Sequence, residues 1–219
     1  MAAIKLSKGS KINLGKHSDS LERLRFELKW DADASKLKNA GASSKFDADA
    51  CTFVCKHAQV KDGKGGTITV PKLISNEHFV FYNSGENYTD KVNRCPESAV
   101  ILSEDETDGG GDGETVTVDV NKLHRETAEV AFTVSIHKWQ TRRQNFGQLA
   151  SGGVDIYNDI SGEKIASFEF GTNVFDKETF IHVGSLFRTE DGWEFEPFET
   201  GSENTDISDA LEKFGADLG

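Results

Sequence analysis

Ten short stretches in which apolar and polar residues alternate recur along the whole chain, and almost nothing of helical period separates them. Alternation with period two puts successive side chains on opposite faces of a strand, so each stretch has one face to bury and one to leave in water. The predicted strands are Lys11–Leu14, Leu24–Trp30, Ala48–Cys55, His78–Tyr82, Thr115–Val120, Val130–His137, Val154–Tyr157, Ile165–Phe170, Thr179–Val183 and Trp193–Phe198. Turn signals at Asp62-Gly63, Gly65-Gly66, Ser84-Gly85, Gly152-Gly153, Ser161-Gly162 and Asp191-Gly192 punctuate them. Many short strands without crossover helices predict an all-β fold, an antiparallel sandwich or barrel.

One helix is expected at the end, over about residues 205–214. There Ile207, Ala210, Leu211 and Phe214 follow i, i+3, i+4, i+7 spacing, Thr205 or Asp206 can cap the start, and Gly215 can end it. Residues 31–46, DADASKLKNAGASSKF, are small and polar and read as an exposed loop. With three prolines, evenly spread turns and no internal repeat, residues 1–219 read as one domain.

The 219 residues suffice for one sizeable core, and their formal charge is −12. A net-acidic chain lacks the basic footprint that displaces counterions from phosphate, so nucleic acid is not an expected partner. No apolar run approaches the ~18 residues of a membrane helix, and the opening MAAIKLSKGSKINL lacks a signal peptide's apolar segment. A cytoplasmic protein without direct membrane insertion is expected. The acidity is local: residues 103–114 carry −6 and residues 190–217 carry −9, whereas residues 1–46 carry +5. The C-terminal acids read as a solvated face.

Cys51 and Cys55, four apart on one strand face, stand about 13 Å from each other, beyond disulfide reach. The same spread disfavours a zinc site with His57, and both read as buried thiols beside Phe53.

The segment from Ser103 to Glu114, SEDETDGGGDGE, is the most unusual in the chain. Six carboxylates this close repel one another unless a positive charge sits among them, and Ca²⁺ accepts 6–8 oxygens in flexible geometry. A solvated acidic loop is the competing reading. The EF-hand pattern fails here: Gly110 stands at a ligand place, Asp119 replaces the final Glu, and the following residues alternate like a strand. Asp47 and Asp49, about 6.6 Å apart on one strand face, can aim two carboxylates at one point. A paired acid and base of a hydrolase would look the same.

Several segments together resemble the TerD family of tellurium-resistance and stress proteins. They are LSKGSKINL, Trp30-Asp31, FDADACTF, FVFYN, the acidic loop running into VTVDVNKL, VAFTVSIHKWQTRRQNFGQ and GSLFRTEDGWEFEPF. The resemblance implies a two-sheet antiparallel β-sandwich with a short C-terminal helix. It further implies one or two Ca²⁺ ions held by Asp47, Asp49, Asn83 and the acidic loop, with Asp105, Asp108, Asp112 and Glu114 as its ligands. Partners among other tellurium-resistance operon proteins are implied as well. Departures are present: Gly110 and Gly113 stand where the family usually has Asp, and residues 56–77 and 84–102, with His57, Lys61, Lys64, Lys72 and Arg94, differ from it.

Of the remaining candidates, His137 and Arg142-Arg143-Gln144-Asn145 follow an apolar strand, where they could contact an anion or partner or tie down loop carbonyls. Trp139, Trp193 and Phe195 read as core rather than ligand surface. No nucleophile elbow or phosphate loop is present. The expected function is non-enzymatic calcium binding that orders acidic loops for partners; the alternative is a structural or interaction sandwich, for example phage-encoded, with incidental metal.

Overall fold

The computed structural model describes residues 3–16, 21–104, 113–170 and 174–215. In chain order its strands are β1 (Ile4–Leu6), β2 (Ile12–Asn13), β3 (Arg23–Ala32), β4 (Ala48–Lys61), β5 (Thr67–Leu73), β6 (Phe79–Val80), β7 (Val100–Leu102), β8 (Glu114–Asp119), β9 (Glu129–Ile136), β10 (Leu149–Asn158), β11 (Lys164–Phe170), β12 (Glu178–Thr189) and β13 (Gly192–Glu203). Period-two patterning dictates their faces. On β3, Leu24, Phe26, Leu28 and Trp30 are buried, while Arg25, Glu27 and Lys29 point outward into ion pairs with Asp159 and Asp155 and with one another.

The strands form two sheets, in the orders β1-β11-β10-β3-β8-β7 and β2-β13-β12-β9-β4-β5, with β6 pairing β4. This is the all-β sandwich expected. Pairing is antiparallel except between β1 and β11, which run parallel. Between the sheets, Phe26 meets Phe132 at 4.2 Å and Phe195 at 5.6 Å between ring centroids, so three rings from β3, β9 and β13 bridge the layers. Such pairs add about 0.5–1.5 kcal/mol each to their area burial. Trp193 and Phe195 are thus core residues.

A second apolar layer lies on the outer face of the larger sheet. Alternation sends Cys51, Phe53 and Cys55 of β4 outward, where Leu73, Phe79, Ala131 and Phe180 join them. Helix α3 (Ile207–Lys213) covers this face, capped by Asp206, whose side chain accepts from the Ser208 and Asp209 amides. Phe214 stacks on Phe53 at 4.0 Å, and its carbonyl accepts from the Leu73 amide at 2.8 Å. All three cysteines are buried and free, and burial pushes their thiols up.

Residues 31–46 are not the exposed loop expected. Here β3 continues to Ala32, and helix α1 (Ala34–Asn39) follows. Asp33 caps it by accepting from the Ser35 and Lys36 amides, and buried Leu37 anchors it. Gly152-Gly153 is likewise no turn but lies inside β10, where a Cβ at Gly152 would enter the Phe170 ring. Strand His78–Tyr82 shrinks to β6, with His78 in a preceding single turn of 3₁₀ helix. Among the described residues no helix is long and apolar enough to cross a membrane.

Candidate metal centre

Strand β4 pairs with β9 along one side from Ala48 opposite Ile136 to Cys55 opposite Glu129. On its other side β6 covers only Thr52 and Phe53. The Ala50 amide, two residues before that cover, donates instead to a carboxylate oxygen of Glu114, the first residue of β8 in the opposite sheet. Asp47 and Asp49 lie just before Ala50 in the chain. All three carboxylates are buried, with Asp47 6%, Asp49 2% and Glu114 1% exposed.

Burying carboxylates without compensation is costly. Two basic side chains approach from the turn after β9: Arg142 Nη2 lies 2.9 Å from Asp47 Oδ2, and His137 Nδ1 lies 3.7 Å from Asp49 Oδ2. That turn, α2 (Trp139–Arg142), is fixed by the Asp47 carbonyl, which accepts from the His137 amide at 3.0 Å. The other Asp47 oxygen, Oδ1, is buried and has no hydrogen-bond partner among the described residues. The Cys51 thiol is pushed well up, by burial first and then by the negative charges of Asp49 and Glu114, so both carboxylates act on one sulfur.

The frame of the acidic loop is defined although residues 105–112 lie outside the described set. The Ser103 amide donates to the Thr115 carbonyl at 2.9 Å, and the Thr115 amide returns to Ser103 Oγ at 3.1 Å. This closes the β7–β8 hairpin and delivers Glu114 to Ala50. Gly113 has φ +63°, and a Cβ there would strike the Leu28 carbonyl oxygen. Glycine is required at that position.

Glu114 thus meets the backbone of β4 at Ala50, next in sequence to Asp49, and both carboxylates act on the Cys51 thiol. Asn83 is exposed in the turn after β6; its neighbour Tyr82 packs its ring 5.9 Å from that of His137. A cleft of about 270 Å3 is lined by Asp49, Tyr82, Ser135, His137 and, from the start of α3, Asp206; Asn83 is not part of its lining. The expected ligands Asp105, Asp108 and Asp112 lie outside the described residues. Among the described residues no group of three or more His, Cys, Asp or Glu forms a metal-ligand cluster. The donor chemistry is nonetheless that of a hard cation: carboxylate oxygens only, one of them buried and without a hydrogen bond.

Other candidates resolve differently. His57 meets Glu129 at 3.3 Å. Gln144 ties down loop carbonyls, donating to Ser43 and Lys45, and Asn145 with Gln148 forms a capping box. Sequence reasoning missed the Arg142–Asp47 pair, although the Arg142-Arg143 doublet marked the segment, and it missed Glu114 as the staple between the sheets.

The TerD domain family matches residues 1–214. General stress protein 16U of Bacillus subtilis is 29% identical over 200 residues, 90% of each chain. Tellurium resistance protein TerD of Serratia marcescens is 27% identical over 193 residues, 88% of each chain. A crystal structure of a TerD homologue from Streptomyces coelicolor shares the fold with TM-score 0.57 at 19% identity, covering 86% of this chain and 94% of that one.

Proposed function

The chain belongs to the TerD family of tellurium-resistance and stress proteins, and from that premise we propose that it is a non-enzymatic, cytoplasmic calcium-binding protein whose acidic loop is ordered by the ion for partner contact. The observation that carries this reading is the trio of buried carboxylates Asp47, Asp49 and Glu114, with Asp47 Oδ1 lacking a hydrogen-bond partner among the described residues. Arg142 offsets part of that charge, and the sequence of the loop supplies the further acids Asp105, Asp108 and Asp112.

When bound, Ca²⁺ supplies the positive charge that such a set of oxygens lacks. The protein's part is positional. Glu114 accepts from Ala50 and so holds the end of the loop against β4. Gly113 lets the backbone approach Leu28 closely enough for Glu114 to arrive. Arg142 holds one oxygen of Asp47 and leaves the other available. Asn83 and the loop acids complete the proposed ligand set, and the loop's surface is the proposed contact for other tellurium-resistance operon proteins.

Calorimetric titration with calcium, followed by thermal unfolding in excess chelator, tests the proposal. Binding to the folded state alone stabilises it by about 2.7 kcal/mol at a hundredfold excess over the dissociation constant. Asp49→Asn and Asp112→Asn each weaken binding if the strand and the loop share one site. Absence of heat at millimolar calcium, together with an unchanged melting temperature, rules the proposal out.

A further inference from the structure

The segment joining β5 to β6 and the turn before β7 bring a hydroxyl, an imidazole and a carboxylate into one chain of hydrogen bonds. Ser75 Oγ lies 2.8 Å from His78 Nδ1, and His78 Nε2 lies 3.2 and 3.1 Å from the two carboxylate oxygens of Glu97. His78 is 4% exposed, whereas Ser75 is exposed and lies on the wall of a cleft of about 500 Å3. A nucleophile at the surface thus rests on a buried base, which a half-buried acid holds from its other side.

Ser75 occupies the N-cap of the single 3₁₀ turn Asn76–His78, yet its side chain makes no capping hydrogen bond. A serine at an N-cap ordinarily accepts from an amide two or three residues on, whereas this oxygen is committed to the ring. Although burial pushes the Glu97 carboxyl up, its own backbone amide and His78 hold it below the ordinary carboxylate range. An ionised carboxylate only accepts, so Nε2 carries the ring proton, Nδ1 is bare, and the Ser75 hydroxyl donates to it. The turn that carries Glu97 is tied at both ends. The Cys95 amide donates to the Val100 carbonyl at 3.1 Å and the Ser98 amide to the Cys95 carbonyl at 2.9 Å, with Ser98 held at φ +53°. A non-glycine residue persists in the left-handed region only where its surroundings hold it there.

We propose that Ser75 is a modification site, a nucleophile that takes an acyl group from an activated donor such as a thioester or an aryl ester. His78 is its general base, and Glu97 is the positioning residue that fixes the ring's tautomer. The bond from Oγ to the donor's carbonyl carbon forms as that carbon's bond to its sulfur or oxygen leaving group breaks. The hydroxyl proton passes to His78 Nδ1 and from there to the leaving group. The product is an acyl-serine, and the step ends there. This inference goes beyond the calcium reading and is independent of it, so its test is run in chelator.

In the test the full chain is treated with p-nitrophenyl acetate, and mass spectrometry of its peptides follows acetylation with time. Ser75 is expected to acetylate at least about 100-fold faster than Ser161, an exposed serine whose Oγ accepts from the Glu163 amide. That comparison is made within the parent and needs no variant. Ser75→Ala is expected to remove the fast acetylation, and Glu97→Gln to slow it at least about tenfold. The nitrogen chemical shifts of the His78 ring give a readout that a change in packing alone would not move. They are expected to show a protonated Nε2 and a bare Nδ1 in the parent, and the reverse in Glu97→Gln, whose amide can donate to Nε2. Acetylation of Ser75 no faster than that of Ser161, acetate confined to lysines, or a parental rate in Glu97→Gln overturns the proposal.

Discussion

Acidification provides a quantitative test of the outer apolar layer through His182. This side chain projects from β12, with its ring 4.9 Å from that of Phe198 and 6.1 Å from that of Phe214. Its Nε2 lies 2.9 Å from Ser185 Oγ, which donates onward to Glu129 at 2.6 Å, so that carboxylate reaches the imidazole only through a hydroxyl. Lys213, on the wall of the same cleft, opposes a positive charge there. Burial pulls the His182 pKa down from 6.5 to about 4 against a backbone hydrogen bond at Gly184 that favours the charged form. Because the folded pKa lies below the unfolded one, the neutral imidazole's contribution is complete above about pH 6.5 and is lost as pH falls toward 4. A depression of that size corresponds to roughly 3 kcal/mol, with a slope of about 1.4 kcal/mol per pH unit inside the window. Carboxylates also titrate near its lower end, so the reading must be differential. Urea unfolding of the parent and of His182→Gln, whose amide can still meet Ser185, isolates the term when followed by tryptophan fluorescence at several pH values. The parent should lose about 3 kcal/mol relative to the variant between pH 7 and pH 4. Parallel stability curves would refute the reasoning.

Three further outcomes are expected. Gly113→Ala must adopt φ +63° and displace the Leu28 carbonyl, so it should cost at least about 1–3 kcal/mol; an unchanged melting temperature would contradict the close approach. Phe214→Ala removes the ring stacked on Phe53 and should cost about 3 kcal/mol while exposing Phe53 and Phe79 to a hydrophobic dye, and dye binding equal to the parent's would show that α3 does not depend on this stack. Glu114→Gln keeps an oxygen for the Ala50 amide but deletes one of three buried charges. It should raise the melting temperature in chelator and shrink the increment gained with calcium, whereas a lower temperature in chelator with an undiminished increment would argue against charge crowding.

Alternation made the central strands readable because β3, β8 and β9 present one consistent apolar face to the core. It failed where that contrast fades. In β5 (TITVPKL) all residues but Leu73 are exposed or half-buried and Pro71 sits in the strand, so nothing in its pattern distinguishes it from loop. Helix α1 has a single buried anchor, Leu37, and hence no period to detect. Strands β12 and β13 run well past their expected ends because register shifts near Glu178 and Gly184 interrupt the alternation. At the site, the shared face of Asp47 and Asp49 follows from parity alone. The Glu114–Ala50 bond and the Arg142–Asp47 pair do not, since each joins segments remote in sequence that only the packing of the two sheets and the turn after β9 brings together. Local pattern carries no information about such contacts.

Within β4, the Ala50 amide answers to a side chain where a neighbouring strand would ordinarily stand. Its exchange with solvent deuterium is therefore a built-in gauge of the acidic loop. Amides bonded to strand neighbours exchange when the sheet opens, but this proton becomes available whenever Glu114 lets go. One resonance, compared with its neighbours on the same strand and with calcium present or absent, reports how often the loop's anchor detaches without any label placed in the loop itself.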